Sequence, residues 1–285
     1  MPPHHLGMVA NTLLATVGAV SPLIDDTQAH VSAASPMLSW DIAYLTDAGH
    51  ERAHNEDACT FDAHCGLILL ADGMGGYNAG EVASALALNH AHSFLKNNIC
   101  ADTSAGDCAN AVRLAVTAAN AAILAAAARR PECLGMGTTM VAAAVGPRML
   151  TIGHVGDSRA YLFRNAHLAR LTHDHSVGQA MIDAGVLDER AARLSTLRGV
   201  LTRALGVEPI VDTDVCQLEW LAGDRLLFCS DGLTDMISDR DICTIMTAHS
   251  SAQTCAQRLT EAALAAGGHD NVSVLVACCS RADSN

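Results

Sequence analysis

The chain has 285 residues, half of them hydrophobic and 16% charged, which suits one large or two small folded domains and argues against disorder. Its net charge of −13, with a single lysine at Lys96, argues against a nucleic-acid backbone or an anionic membrane as partner, since both repel an acidic surface. Aromatic residues make up only 3%, so Ala, Val, Leu and Ile must build the core; eleven cysteines without C-x-x-C spacing read as small buried thiols in a reducing cytoplasm.

In chain order, Leu6 to Ile24 is apolar but is interrupted by Asn11, Gly18 and Pro22 and lacks a Lys/Arg-rich start. Residues 1–38 are therefore expected to be a poorly ordered or weakly helical extension rather than a membrane span, with a secretion signal the lesser reading. Trp40 to Thr46 alternates as a half-buried strand, Arg52 to Asp57 is a polar connection, and Leu67 to Ala71 is a fully apolar strand. That strand is expected to empty into a tight turn at Asp72-Gly73-Met74-Gly75-Gly76, where glycine allows positive φ and close backbone approach. A helix follows from Ala79 to Asn97, its inner face carrying Ala79, Val82, Ala83, Leu86, His90 and Phe94, and another from Asp107 to Arg130 stops at Pro131. Strands are expected at 138–145, 149–155 and 159–163, as an antiparallel meander. Residues 172–202 lose that pattern and form a small insertion with a short helix near 177–184. Strands return at 211–218 and 225–229, then helices at 239–248 and 252–266, and a last strand at 272–278. Consecutive strands with helices gathered in pairs favour two packed sheets with helices outside, in one domain spanning 39–280.

Several acidic residues share one local design. Asp72 and Asp231 each follow an apolar strand and precede a glycine; Asp57 closes Asn55-Glu56-Asp57; Asp270 stands just before the last strand. Carboxylates at strand ends can converge on one rim of a sandwich, where like charges oppose folding unless divalent cations join them. Oxygen-only donors, the carbonyl of Gly73 included, point to Mg²⁺ or Mn²⁺ rather than zinc.

The ordered motifs Arg52-x-x-Asn55-Glu56-Asp57, Asp72-Gly73-Met74-Gly75-Gly76, Gly137-Thr138-Thr139, Gly156-Asp157-Ser158-Arg159, Leu171-Thr172-x-Asp174-His175-Ser176, Ser230-Asp231-Gly232 and Asp270-Asn271-Val272 resemble the metal-dependent type 2C serine/threonine protein phosphatases, above all the bacterial ones. The resemblance covers residues 40–280. It implies an α+β fold, a β-sandwich of two mostly antiparallel sheets flanked by helix pairs in four layers (α-β-β-α). It also implies two Mn²⁺ or Mg²⁺ ions bridged by Asp72, with Gly73 on one and Asp231 and Asp270 on the other. Asp57, with Glu56 more weakly, would act through bound waters, Asp157 and Asp231 would hold a third ion, and Arg52 would grip the substrate phosphate. The implied reaction is hydrolysis of phosphoserine or phosphothreonine by a water shared between the ions, with Asp57, Asp72, Asp231 and Arg52 as its catalytic set. The implied partners are phosphorylated proteins and a bacterial Ser/Thr kinase that the enzyme opposes; a cytoplasmic monomer is expected.

Met74 stands where the eukaryotic members carry histidine, which leaves the proton donor to a water or to His154, His173 or His175. Residues 172–202 match the variable flap. Two rivals remain: an aspartyl-phosphate hydrolase suggested by Asp212-Thr213-Asp214, and a catalytically silent phosphoprotein-binding module.

Overall fold

A computed structural model of the protein describes residues 28–34, 38–75 and 79–281. In chain order the elements are strands β1 (Gln28–Ala34), β2 (Leu38–Asp47), β3 (Asp57–Asp62) and β4 (Leu67–Met74), then helices α1 (Ala79–Asn98) and α2 (Ala105–Arg129). Strands β5 (Gly137–Thr138), β6 (Met140–Val145), β7 (Met149–Val155), β8 (Arg159–Arg164) and β9 (His167–Arg170) follow, then the flap helices α3 (Val177–Asp183) and α4 (Glu189–Arg193). The chain closes with β10 (Asp214–Glu219), β11 (Arg225–Cys229), α5 (Asp231–Thr234), α6 (Asp239–Ala248), α7 (Ala252–Ala265) and β12 (Val272–Arg281).

The strands form two sheets, ordered β1-β2-β12-β11-β8-β9 and β10-β7-β6-β4-β3, with β5 paired to the end of β4. Every pairing is antiparallel. Strand β4 explains why its sequence is apolar throughout. Leu67, Leu69 and Ala71 pack under α1 and α2, whereas Ile68 and Leu70 face the opposite sheet with Trp40, Phe228 and Leu275. A strand buried on both faces has no polar side to display. On the far face of the other sheet, Leu227, Val274 and Val276 pack against Ile242, Met246 and Leu259 of α6 and α7. The layers are therefore helices, sheet, sheet, helices, as the α+β sandwich reading requires.

Helix α2 begins at Ser104, whose hydroxyl accepts from the Asp107 amide. Among the described residues it alone is long and apolar enough to cross a membrane, yet Val112, Val116, Ala119 and Ile123 are wholly buried on the sheet. A core helix passes that test equally well.

Some expectations change. The presumed extension holds strand β1, paired along β2; Leu6 to Ile24 lies outside the described residues. Strand β4 runs through Asp72 and Gly73 to Met74, where β5 extends its pairing, so Asp72 sits within the strand rather than in a tight turn. Gly76 is outside the described residues. The strand expected at 138–145 divides at Thr139, and the one expected at 211–218 begins at Asp214. Strands β3 and β9 and the short helices α4 and α5 are additional. His90 is exposed, and α1 instead buries Ala83, Ala87, Leu88, Ala91 and Leu95. Cys133, Cys229 and Cys255 are buried free thiols and Cys100 an exposed one.

Candidate active site

Antiparallel pairing gathers the carboxylates. The ends of β4, β7 and β11 and the starts of β3, β8 and β12 all reach one rim, because Asp57 lies opposite Asp72, Met140 opposite Val155, and Cys229 opposite both Arg159 and Val274. Asp57 and Asp72 come from one sheet; Asp231 and Asp270 flank strands of the other; Asp157 follows β7.

At this rim they act on one another electrostatically. Burial pushes the Asp72 carboxyl well above the usual carboxylate range, and the charges of Asp57, Asp231, Asp157 and Asp270 push it further. Asp231 is raised likewise by burial, then by Asp157 and Asp235. Burial lifts Asp57 to about 6 and Asp157 to about 7, the latter aided by the neighbouring Asp174. Glu56 is also raised by burial, with Arg52 opposing.

Such a site has a high electrostatic cost without cations. Asp57 Oδ2 accepts from the Ser230 hydroxyl at 2.8 Å, but its Oδ1 is buried without a hydrogen-bond partner. An orphaned buried carboxylate oxygen amid four more carboxylates, with no ring nitrogen or thiolate in the set, fits a hard divalent cation with oxygen ligands. Asp57, Asp72, Asp231, Asp270, Asp157 and the Gly73 carbonyl are the residues able to hold one.

Gly73 is required by crowding rather than by its backbone angle. A Cβ there would lie 2.6 Å from the Glu56 carbonyl oxygen and closer still to that of Gly80, so any side chain would drive β4 away from α1. The Gly73 amide donates to that Glu56 carbonyl at 3.2 Å, and the Ser84 hydroxyl donates to it at 2.6 Å.

Thr139 and Asn271, present in the motifs without an assigned role, support the carboxylates. Thr139 accepts from the Asp72 amide at 2.9 Å, donates its own amide to the Asp72 carbonyl, and meets the Ser158 hydroxyl at 2.7 Å. Asn271 donates to the carbonyls of Ala48 and His54, both at 2.9 Å, and accepts from the Glu56 amide at 2.8 Å. One buried amide thus fixes the loop bearing Arg52 and Glu56. Truncation in Asn271→Ala leaves three backbone groups unpaired and is expected to cost about 3 kcal/mol, measured as a lower midpoint in denaturant unfolding.

Arg52 and Asp270, expected on different ligands, are held together: Arg52 Nη2 donates to Asp270 Oδ2 at 2.7 Å, and the neighbouring negative charge raises the guanidinium pKa. At the flap side, Arg159 grips Asp174 through Nε and Nη2, the latter at 2.6 Å. A cavity of about 350 Å³ there is lined by Asp157, Asp231, Asp174, Arg193 and Arg198 among others.

The three candidate proton donors have other partners. His154 and His175 are buried and stacked on each other, and His173 pairs with Asp183 at 2.8 Å. Of the rival aspartates, Asp214 is paired with Arg203 at 2.7 Å.

Residues 46–266 match the family "Protein phosphatase 2C". The chain is 40% identical over 238 residues to the serine/threonine protein phosphatase PstP of Mycobacterium tuberculosis, covering 82% of this chain but only 44% of that protein. It is 35% identical over 236 residues to the serine/threonine phosphatase stp of Listeria welshimeri, covering 82% of this chain and 93% of that one. The crystal structure of the PstP catalytic domain in complex with two manganese ions matches with a TM-score of 0.76 and 39% identity, over 85% of this chain and 99% of that one.

Proposed function

Because the chain belongs to the protein phosphatase 2C family, we propose that it is a metal-dependent phosphatase that hydrolyses phosphoserine and phosphothreonine in proteins. The carrying observation is the rim of buried, mutually repelling carboxylates with an orphaned Asp57 oxygen. Asp72, the Gly73 carbonyl, Asp231 and Asp270 are the proposed holders of two Mn²⁺ or Mg²⁺ ions, with Asp157 and Asp231 for a third and Glu56 and Asp57 in support. When bound, such ions lower the pKa of water and neutralise charge gained by phosphoryl oxygens.

The chain's own residues do the rest. Arg52 stands at the rim, 52% exposed and beside Asp270, where its planar fork can take two oxygens of a phosphoryl dianion. Asn271 holds the loop that carries it. Ser230 fixes the Asp57 carboxylate, and Thr139 fixes the Asp72 backbone, so these oxygens need little reordering during reaction. Met74 offers no proton, which leaves the departing alkoxide to water. The natural role we infer is reversal of a bacterial Ser/Thr kinase in the cytoplasm.

The deciding test is hydrolysis of an aryl phosphate with added Mn²⁺. Activity abolished by chelator and restored by metal supports the reading; absence of turnover, or turnover indifferent to chelator, defeats it. Within the same assay, Arg52→Lys is expected to raise KM about tenfold, since an ammonium cannot make the bidentate contact. An unchanged KM would remove Arg52 from phosphate binding.

A further inference from the structure

His154, His175 and Asp214 offer ligand atoms all within 4.8 Å of one another, outside the carboxylate rim. Their chemistry does not suit a metal. The Gly156 amide donates to His175 Nδ1 at 3.1 Å, so that nitrogen carries a lone pair and the proton must sit on Nε2. A cation on Nε2 would need an imidazolate. The two rings are also stacked, with centroids 4.6 Å apart and planes 16° from parallel, so their in-plane lone pairs do not meet at one point.

The same facts define another role. The His175 amide donates to the Gly156 carbonyl at 2.9 Å while its ring accepts from the Gly156 amide, so one residue holds both polar groups of the glycine before Asp157. Gly156 has φ +101°, and a Cβ there would lie 2.7 Å from Thr139 Cβ. Only glycine fits this turn, so it has no side chain of its own to anchor it and is held by its neighbours. At the same residue the flap closes on itself. The Thr202 amide donates to the His175 carbonyl at 2.8 Å, and Ser176 bridges Leu201. His154 covers one face of the ring, while His175 Nε2 lies 3.3 Å from Asp214 Oδ2, itself held by Arg203.

We propose that His175 is a positioning residue which clasps the Gly156–Asp157 turn to both roots of the flap, so that the turn and the flap base open together. This rests on the phosphatase reading only for its effect on turnover; the clasp itself can be tested without metal.

The experiment compares wild type with His175→Asn, His175→Gln and His175→Ala. Asparagine places an acceptor oxygen where Nδ1 stands, whereas glutamine places it one atom further out. In metal-free protein, amide hydrogen exchange is expected to show Gly156 and Thr202 opening at matched rates in wild type and within about threefold of that in His175→Asn. In His175→Gln and His175→Ala both amides should exchange at least about tenfold faster, with Leu69 and Leu70 of β4 unchanged. Under Mn²⁺, kcat on a phosphopeptide should fall at least about tenfold in the Gln variant and be largely rescued in the Asn variant, with KM nearly constant. Should the Ala variant not fold, the Asn and Gln pair decides. Equal exchange in Asn and Gln, or Gly156 opening while Thr202 stays protected, overturns the proposal. A wild type without turnover would sink the phosphatase reading and leave the exchange result to judge the clasp.

Discussion

Asp72→Asn is expected to slow aryl phosphate hydrolysis by roughly 10³-fold with Mn²⁺ present and, in metal-free protein, to raise the melting temperature by several degrees. The two effects have one origin. Asp72 is the carboxylate on which Asp57, Asp231, Asp157 and Asp270 all act, so its charge opposes folding until a cation offsets it. Asparagine keeps the shape and discards the charge. A variant that lost activity because it misfolded would melt lower, so the sign of the thermal shift separates loss of a ligand from loss of structure. Retained activity would remove Asp72 from the chemistry.

The second large effect is on stability against pH. Asp57 is lifted to about 6 and Asp157 to about 7, with Asp72 and Asp231 raised well beyond the ordinary range. In the unfolded chain these groups titrate near about 3.9. Between that value and the folded ones, the folded state binds more protons, so stability falls as pH rises through the window. At about 1.4 kcal/mol for each unit of displacement, the loss is several kcal/mol out of a typical total of about 5–15. Metal-free protein is therefore expected to melt about 10 °C lower at pH 8 than at pH 5, and millimolar Mn²⁺ or Mg²⁺ should remove most of that slope. Calorimetry at the two pH values, with and without metal, checks it. Burial holds His154 and His175 below the usual histidine range, which favours the higher pH. The metal-dependent part of the slope is therefore decisive: a slope identical with and without metal would mean that the carboxylates do not repel one another as their burial requires.

The sandwich and its acidic rim were legible in the sequence for a physical reason. Strand β4 is buried on both faces and then presents Asp72, and an apolar run ending in a carboxylate is a local signal. The end of that strand was misread because Gly73 suggested a tight turn, whereas the glycine answers to the carbonyls of Glu56 and Gly80. Strand β3 was missed because its partly exposed edge mixes Asp57, Thr60 and Asp62 with apolar residues and shows no clear period. The supporting residues were beyond reach for another reason. Asn271 meets His54 across 217 positions and Ser230 meets Asp57 across 173, and no spacing rule encodes such pairings. The Arg52–Asp270 pair was hidden likewise, since each residue had been given a separate ligand.

The flap leaves and rejoins the sandwich at almost the same point, where Ser176 bridges Leu201 and His175 receives Thr202. A segment mounted on so narrow a stalk behaves topologically as an insert. Its length and sequence are free to change while the strands that carry the carboxylates keep their register, so the segment beside the rim is uncoupled in the fold from the rim itself.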